Sequence, residues 1–93
     1  MNTLDMKQVK TQMNELLRFV DMMEVKCVLQ RSETQGVIVY SFYNEDAGGY
    51  HYAYVNYLYE GGDLSLMDRM DAESYRSLDD IIDKFKNYVN VEI

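Results

Sequence analysis

The 93-residue sequence has no proline, no tryptophan, one cysteine and one histidine. A lone Cys27 excludes an internal disulfide and a cysteine-rich zinc site, so packing has to hold the fold. Any Ser-His-Asp or Cys-His arrangement would have to use His51. Cys27 alternates with Val25 and Leu29, which reads as a buried, unreactive thiol, and His51 alternates with Ala53 and Val55 near a strand start, as an edge histidine does. Gly48-Gly49 and Gly61-Gly62 lack the further spaced glycines and the following helix of a phosphate or dinucleotide loop. Asp79, Asp80 and Asp83 read as a cap and a solvated helix face, and Glu45 with Asp46 lacks an EF-hand pattern. The expectation is a protein without catalytic residues, metal or cofactor.

No apolar run approaches the ~18 residues that cross a bilayer, and Met1-Asn2-Thr3-Leu4-Asp5 lacks the basic and apolar regions of a secretory signal. This predicts a soluble cytoplasmic protein of one domain, 1–93. Bases are missing altogether from residues 32–68, which hold six of the sixteen acids and none of the nine lysines and arginines. With a net charge of −7, the chain is unsuited to nucleic acid or anionic membrane and suited to a basic protein partner.

Apolar residues at Met6, Val9, Met13, Leu16, Leu17, Val20 and Met23 predict an amphipathic helix over about 4–23, with Thr3 as N-cap and Asp5 in the first turn. From Glu24 the period becomes two, which predicts a strand through Val25, Cys27 and Leu29, then a central strand over 37–43 that is apolar on both faces. Tyr50 to Tyr59 and Leu64 to Met70 form two more strands joined at Gly61-Gly62, pairing Tyr59 with Leu64 and Tyr57 with Leu66. Ser77-Leu78-Asp79-Asp80 resembles a capping box opening a last helix through Leu78, Ile81, Ile82, Phe85, Tyr88 and Val89. The predicted fold is α+β, order αββββα: a four-stranded antiparallel sheet with the N- and C-terminal helices packed on one face and the other face open.

Ala53, Val55, Tyr57, Leu64, Leu66 and Met70 would form the core side of that sheet. The open side would carry Tyr50, Tyr52 and Tyr54 with Asn56, Leu58, Ser65, Met67 and Arg69. Seven of the nine tyrosines lie between Tyr40 and Tyr59, inside the base-free stretch. A phenol offers contact area, a polar tip and a face for arginine or lysine. The candidate partner-binding residues are therefore Glu45, Asp46, Glu60, Asp63 and Asp68 for charge and Tyr50, Tyr52 and Tyr54 for contact, in a monomer or homodimer.

Small size, acidity, abundant tyrosine and the absence of catalytic residues together resemble phage and mobile-element inhibitors of the anti-CRISPR or DNA-mimic type. That resemblance implies a non-enzymatic inhibitor occupying the nucleic-acid groove of a basic enzyme such as a nuclease, with strand-spaced carboxylates standing in for phosphates. Bacterial immunity proteins against nuclease toxins look similar on the same grounds. Residues 27–88 also resemble the Src-homology-two domain: the helix–sheet–helix order, Arg31-Ser32-Glu33 after a strand, His51-Tyr52, and Tyr75-x-Ser77-Leu78-x-x-Ile81-Ile82 as a closing helix. This second resemblance implies a peptide or phosphopeptide reader using Arg31 and His51. Gln30 stands at the place of that family's phosphate-binding arginine, with Arg31 one position on.

Overall fold

The computed structural model describes residues 4–67 and 74–91. Its elements are α1 (Met6–Leu16), β1 (Glu24–Gln30), β2 (Gln35–Asn44), β3 (Gly49–Glu60), β4 (Asp63–Met67), α2 (Leu78–Lys84) and β5 (Val89–Val91). The strands form one antiparallel sheet of five, in the order β4-β3-β2-β1-β5. The architecture is α+β, with one strand more than the sequence suggested. That strand is β5, whose Val89 closes the apolar series of the expected last helix. The helix instead ends at Lys84, and Val89–Val91 pairs with Val28–Gln30 at the sheet edge.

The expectation that both helices share one face is overturned. Val9 and Met13 of α1 pack with Val28, Ile38, Tyr40, Ala53, Val55, Tyr57, Tyr59 and Leu64. Ile81 of α2 packs with Cys27, Leu29, Val37 and Val39 on the opposite face. The cause lies in β2, where Ile38 and Tyr40 point one way, Val37 and Val39 the other, and all four are buried. A strand that is apolar on both faces needs cover on both, and one helix cannot supply it.

The β1 strand solves the same problem with a bulge. The register shifts between Val25 and Cys27, so Val25 packs on the α1 side while Cys27 and Leu29 pack on the α2 side. A strict alternation would have put all three together; the extra residue reverses the parity. The β3–β4 hairpin has the expected register, Tyr59 opposite Leu64 and Tyr57 opposite Leu66, with Gly61 and Gly62 both at positive φ. Met70, Asp68 and Arg69 lie outside the described residues.

The first helix is shorter than its apolar series. Asp5, not Thr3, is the N-cap, its carboxylate accepting from the Lys7 amide at 3.0 Å; Thr3 lies outside the described residues. The helix stops at Leu16, and residues 17–23 connect it to β1. The Asp21 carbonyl accepts from the Tyr43 amide at 2.9 Å, so this connection runs beside β2 before β1 begins. On the other face, Ser77 caps α2 by accepting from the Asp79 amide. Just before it, Tyr75 exchanges two 2.7 Å backbone hydrogen bonds with Tyr52, which pins α2 over β3.

Candidate binding surface

Every candidate residue from the base-free stretch can be placed except Asp68, which lies outside the described residues. Glu45 and Asp46 are exposed in the turn between β2 and β3. That turn is built by Asn44, whose side-chain oxygen accepts from the Asp46 and Ala47 amides at 3.1 and 3.3 Å, and it closes through Gly48 at positive φ. Tyr50 follows directly and is 52% exposed. Its ring stands edge-on to Tyr43, with centroids 5.6 Å apart.

Tyr52 and Tyr54 are not on an open face. Both are half-buried beneath α2, where Tyr54 meets Phe85 edge-on at 4.8 Å and Tyr75 at 6.4 Å. Lys84 closes this cluster: its Nζ is 3.1 Å from the Tyr75 hydroxyl and 5.4 Å from the Tyr54 ring centroid. The Tyr75 and Tyr54 phenols hold the Lys84 ammonium in its charged form, its pKa pushed up to about 12. The part of that face around Tyr52 and Tyr54 is therefore covered and serves as packing under α2, while Tyr50 and Met67 on the same side stay exposed.

Glu60 and Asp63 are exposed in the opposite turn, at the far end of β3. The twelve residues of β3 put the two acidic turns roughly 36 Å apart at about 3.3 Å per residue. Among the described residues the candidate carboxylates thus form two end clusters and no phosphate-like row. Of the two, only the cluster of Glu45 and Asp46 keeps a candidate tyrosine beside it, the exposed Tyr50.

The residues suggested by the Src-homology-two resemblance are also separated. Gln30 faces Gly36, which faces Tyr57, while His51 lies six residues along β3. At about 3.3 Å per residue that is roughly 20 Å. The Gln30 side chain neighbours the Tyr57 hydroxyl on the α1 face, and Arg31 is exposed in the following turn. His51 Nδ1 accepts from the Asn44 side-chain NH2 at 3.4 Å, and its ring meets Phe42 edge-on. Arg31 and His51 therefore cannot grip one phosphate.

A cavity of about 240 Å³ between α1 and the start of β1, lined by Lys10, Asn14, Met23, Glu24 and Val25, takes in none of these residues. Cys27 is buried, and burial pushes its thiol pKa up, away from nucleophilic use. Among the described residues no three His, Cys, Asp or Glu side chains gather as a metal would need, and no helix is long and apolar enough to cross a membrane.

Two apolar residues of the α1–β1 connection are not anticipated by the sequence. Met22 touches Tyr50, its sulfur accepting from the Tyr50 hydroxyl at 3.4 Å, and Phe19, three residues earlier, stands exposed. The signal available was that both are apolar residues off the stripe of α1. Comparison of the chain with protein-family models, curated proteins and solved structures found no match.

Proposed function

We propose that this chain is a non-enzymatic binding protein that engages a basic protein partner, in the manner of a small acidic inhibitor covering the nucleic-acid-binding surface of an enzyme. The cytoplasm, where such enzymes work, is the compartment that goes with this reading. The observation that carries it is the pairing of charge and contact area at one end of the sheet: Glu45 and Asp46, both exposed, adjoin the half-exposed ring of Tyr50. Carboxylates steer a cationic partner, and a phenol supplies desolvated contact. Tyr52, Tyr54, Glu60 and Asp63 are not part of this surface. The contact is accordingly a compact anchor, and the partner's groove is blocked by occupancy and not by a copied row of phosphates. The layering of α1, sheet and α2 favours a Src-homology-two-like topology, but its phosphopeptide reading has no assembled site.

The test is capture from a cell lysate on the immobilised chain, with salt elution, followed by assay of the captured protein on nucleic acid. The reading expects a basic, nucleic-acid-binding protein that is released by salt, is inhibited by the free chain and is lost by the Glu45→Lys/Asp46→Lys variant. The Glu60→Lys/Asp63→Lys variant should retain it. A captured protein indifferent to salt and to both charge reversals would overturn the proposal.

A further inference from the structure

The connection between α1 and β1 carries two features that packing does not require. Met22 adopts φ 55, in the left-handed region where glycine is at ease and a thioether side chain is not. It is nevertheless 66% exposed, and Phe19 is 86% exposed. Backbone strain kept at an exposed position points to a use for the side chain it presents. That side chain lies against Tyr50, which stands against Tyr43, so a thioether and two rings adjoin one another where the cover given by α2 has ended at Tyr52 and Tyr54. Uncovered apolar groups gathered in this way mark a contact surface.

Its rim sets the partner's charge. Glu45 and Asp46 stand on the adjoining turn and Asp21 on the connection itself, all exposed. Arg18 lies beside Phe19, its guanidinium 4.9 Å from the centre of that ring, so the ring already accepts a cation. We infer that Met22, Tyr43 and Tyr50, with Phe19 exposed three residues before Met22 on the same connection, form a docking shelf for a segment of a basic protein that presents an apolar side chain flanked by lysine or arginine. The sign of the partner rests on the function proposed above; the location and the anchor do not. A second copy of this chain is disfavoured, since it would bring Asp21, Glu45 and Asp46 against their own likenesses.

The experiment uses the full chain, isotope-labelled for NMR, and three synthetic peptides: alternating lysine and leucine, alternating lysine and serine, and alternating glutamate and leucine. The lysine–leucine peptide is expected to shift the amide signals of Phe19, Met22, Tyr43 and Tyr50, the lysine–serine peptide to bind more weakly, and the glutamate–leucine peptide not to bind. Met22→Gly relieves the positive φ, so it should melt higher than the parent while losing affinity for the lysine–leucine peptide by on the order of tenfold. A raised melting point separates lost contact from lost folding. If the lysine–leucine peptide binds Met22→Gly and Phe19→Ser as it binds the parent, yet fails on Glu45→Lys/Asp46→Lys, the shelf is wrong while the basic partner stands. If no lysine peptide binds, or the glutamate–leucine peptide binds as well, the basic partner falls too.

Discussion

Gly36 lies directly under the Tyr57 phenol. A Cβ on residue 36 would sit 2.7 Å from both Cε2 and the hydroxyl oxygen of Tyr57, and it would also press on the Leu29 carbonyl. The hairpin neighbours Gly36 and Tyr57 thus share one volume, in which the ring fills the space that a side chain on β2 would have taken. Gly36→Ala is expected to destabilise the fold by about 3 kcal/mol, the upper range for overpacking a filled core. Adding Tyr57→Leu should recover part of that loss, so that the double variant costs less than the sum of the singles in chemical denaturation.

The Tyr57 hydroxyl yields a second expectation. It is wholly buried, and no group among the described residues meets it in hydrogen-bond geometry. Burial pushes its pKa up from the ordinary 10.0, an effect that the neighbouring Gln30 side chain partly offsets. Tyr57→Phe keeps the ring over Gly36 and deletes the stranded oxygen, so it should raise stability by about 1 kcal/mol at neutral pH.

The same burial sets the alkaline limit. Cys27 and Tyr57 both hold their protons more firmly when folded than when unfolded, because burial disfavours the charged form. Their contribution is complete below the unfolded values of 9.0 and 10.0 and declines as pH climbs past them toward the higher folded values. Unfolding curves collected from neutral pH upward should show stability falling beyond pH 9, and the Cys27→Ala/Tyr57→Phe variant should fall less steeply. Parallel curves for the two proteins would refute this account.

Much of this architecture is readable from residue spacing. The Gly61-Gly62 hairpin, its register and the α1-facing set Ala53, Val55 and Tyr57 follow from period-two alternation around a turn whose chemistry is local. What spacing does not reveal is which face a neighbour will cover. The bulge at β1 reverses the side on which Val25 packs, and only the pairing of β1 with β2 exposes it. The tyrosines illustrate the same limit: one strand carries Tyr50, Tyr52 and Tyr54 on one side, yet α2 reaches only the last two. The surviving part of the candidate surface is thus the part beyond the end of a helix, a property of three-dimensional reach. Met22 joins it because a connection, having left its helix, no longer obeys the helix's stripe.

Capping chemistry, being local, is a place where residue type alone predicts an energy. Ser77 accepts the Asp79 amide at 3.2 Å in front of a helix with only seven residues. So short a helix has little stability of its own and depends on its cap and on Ile81. Ser77→Ala should cost about 1 kcal/mol, and Ser77→Asp should restore most of it. Because α2 is what covers Tyr52 and Tyr54, the alanine variant should also increase the exposure of those two rings, visible as faster hydrogen exchange in Val37 and Val39, which share that face on the neighbouring strand.

Lys84 connects α2 to the same rings through charge. The Tyr75 hydroxyl at 3.1 Å and the Tyr54 phenol favour its ammonium form, and the ring faces of both lie within 6 Å of the nitrogen. With its pKa raised from 10.5 to about 12, it should present less free amine at pH 9 than an ordinary lysine does. Brief acetylation at that pH, read by mass spectrometry, should therefore label Lys84 several-fold more slowly in the folded chain than in the denatured one. Tyr75→Phe removes the hydroxyl but keeps the ring, so it should restore much of the rate while leaving the aromatic packing in place. Equal labelling of folded and denatured Lys84 would show that the phenols do not govern its proton.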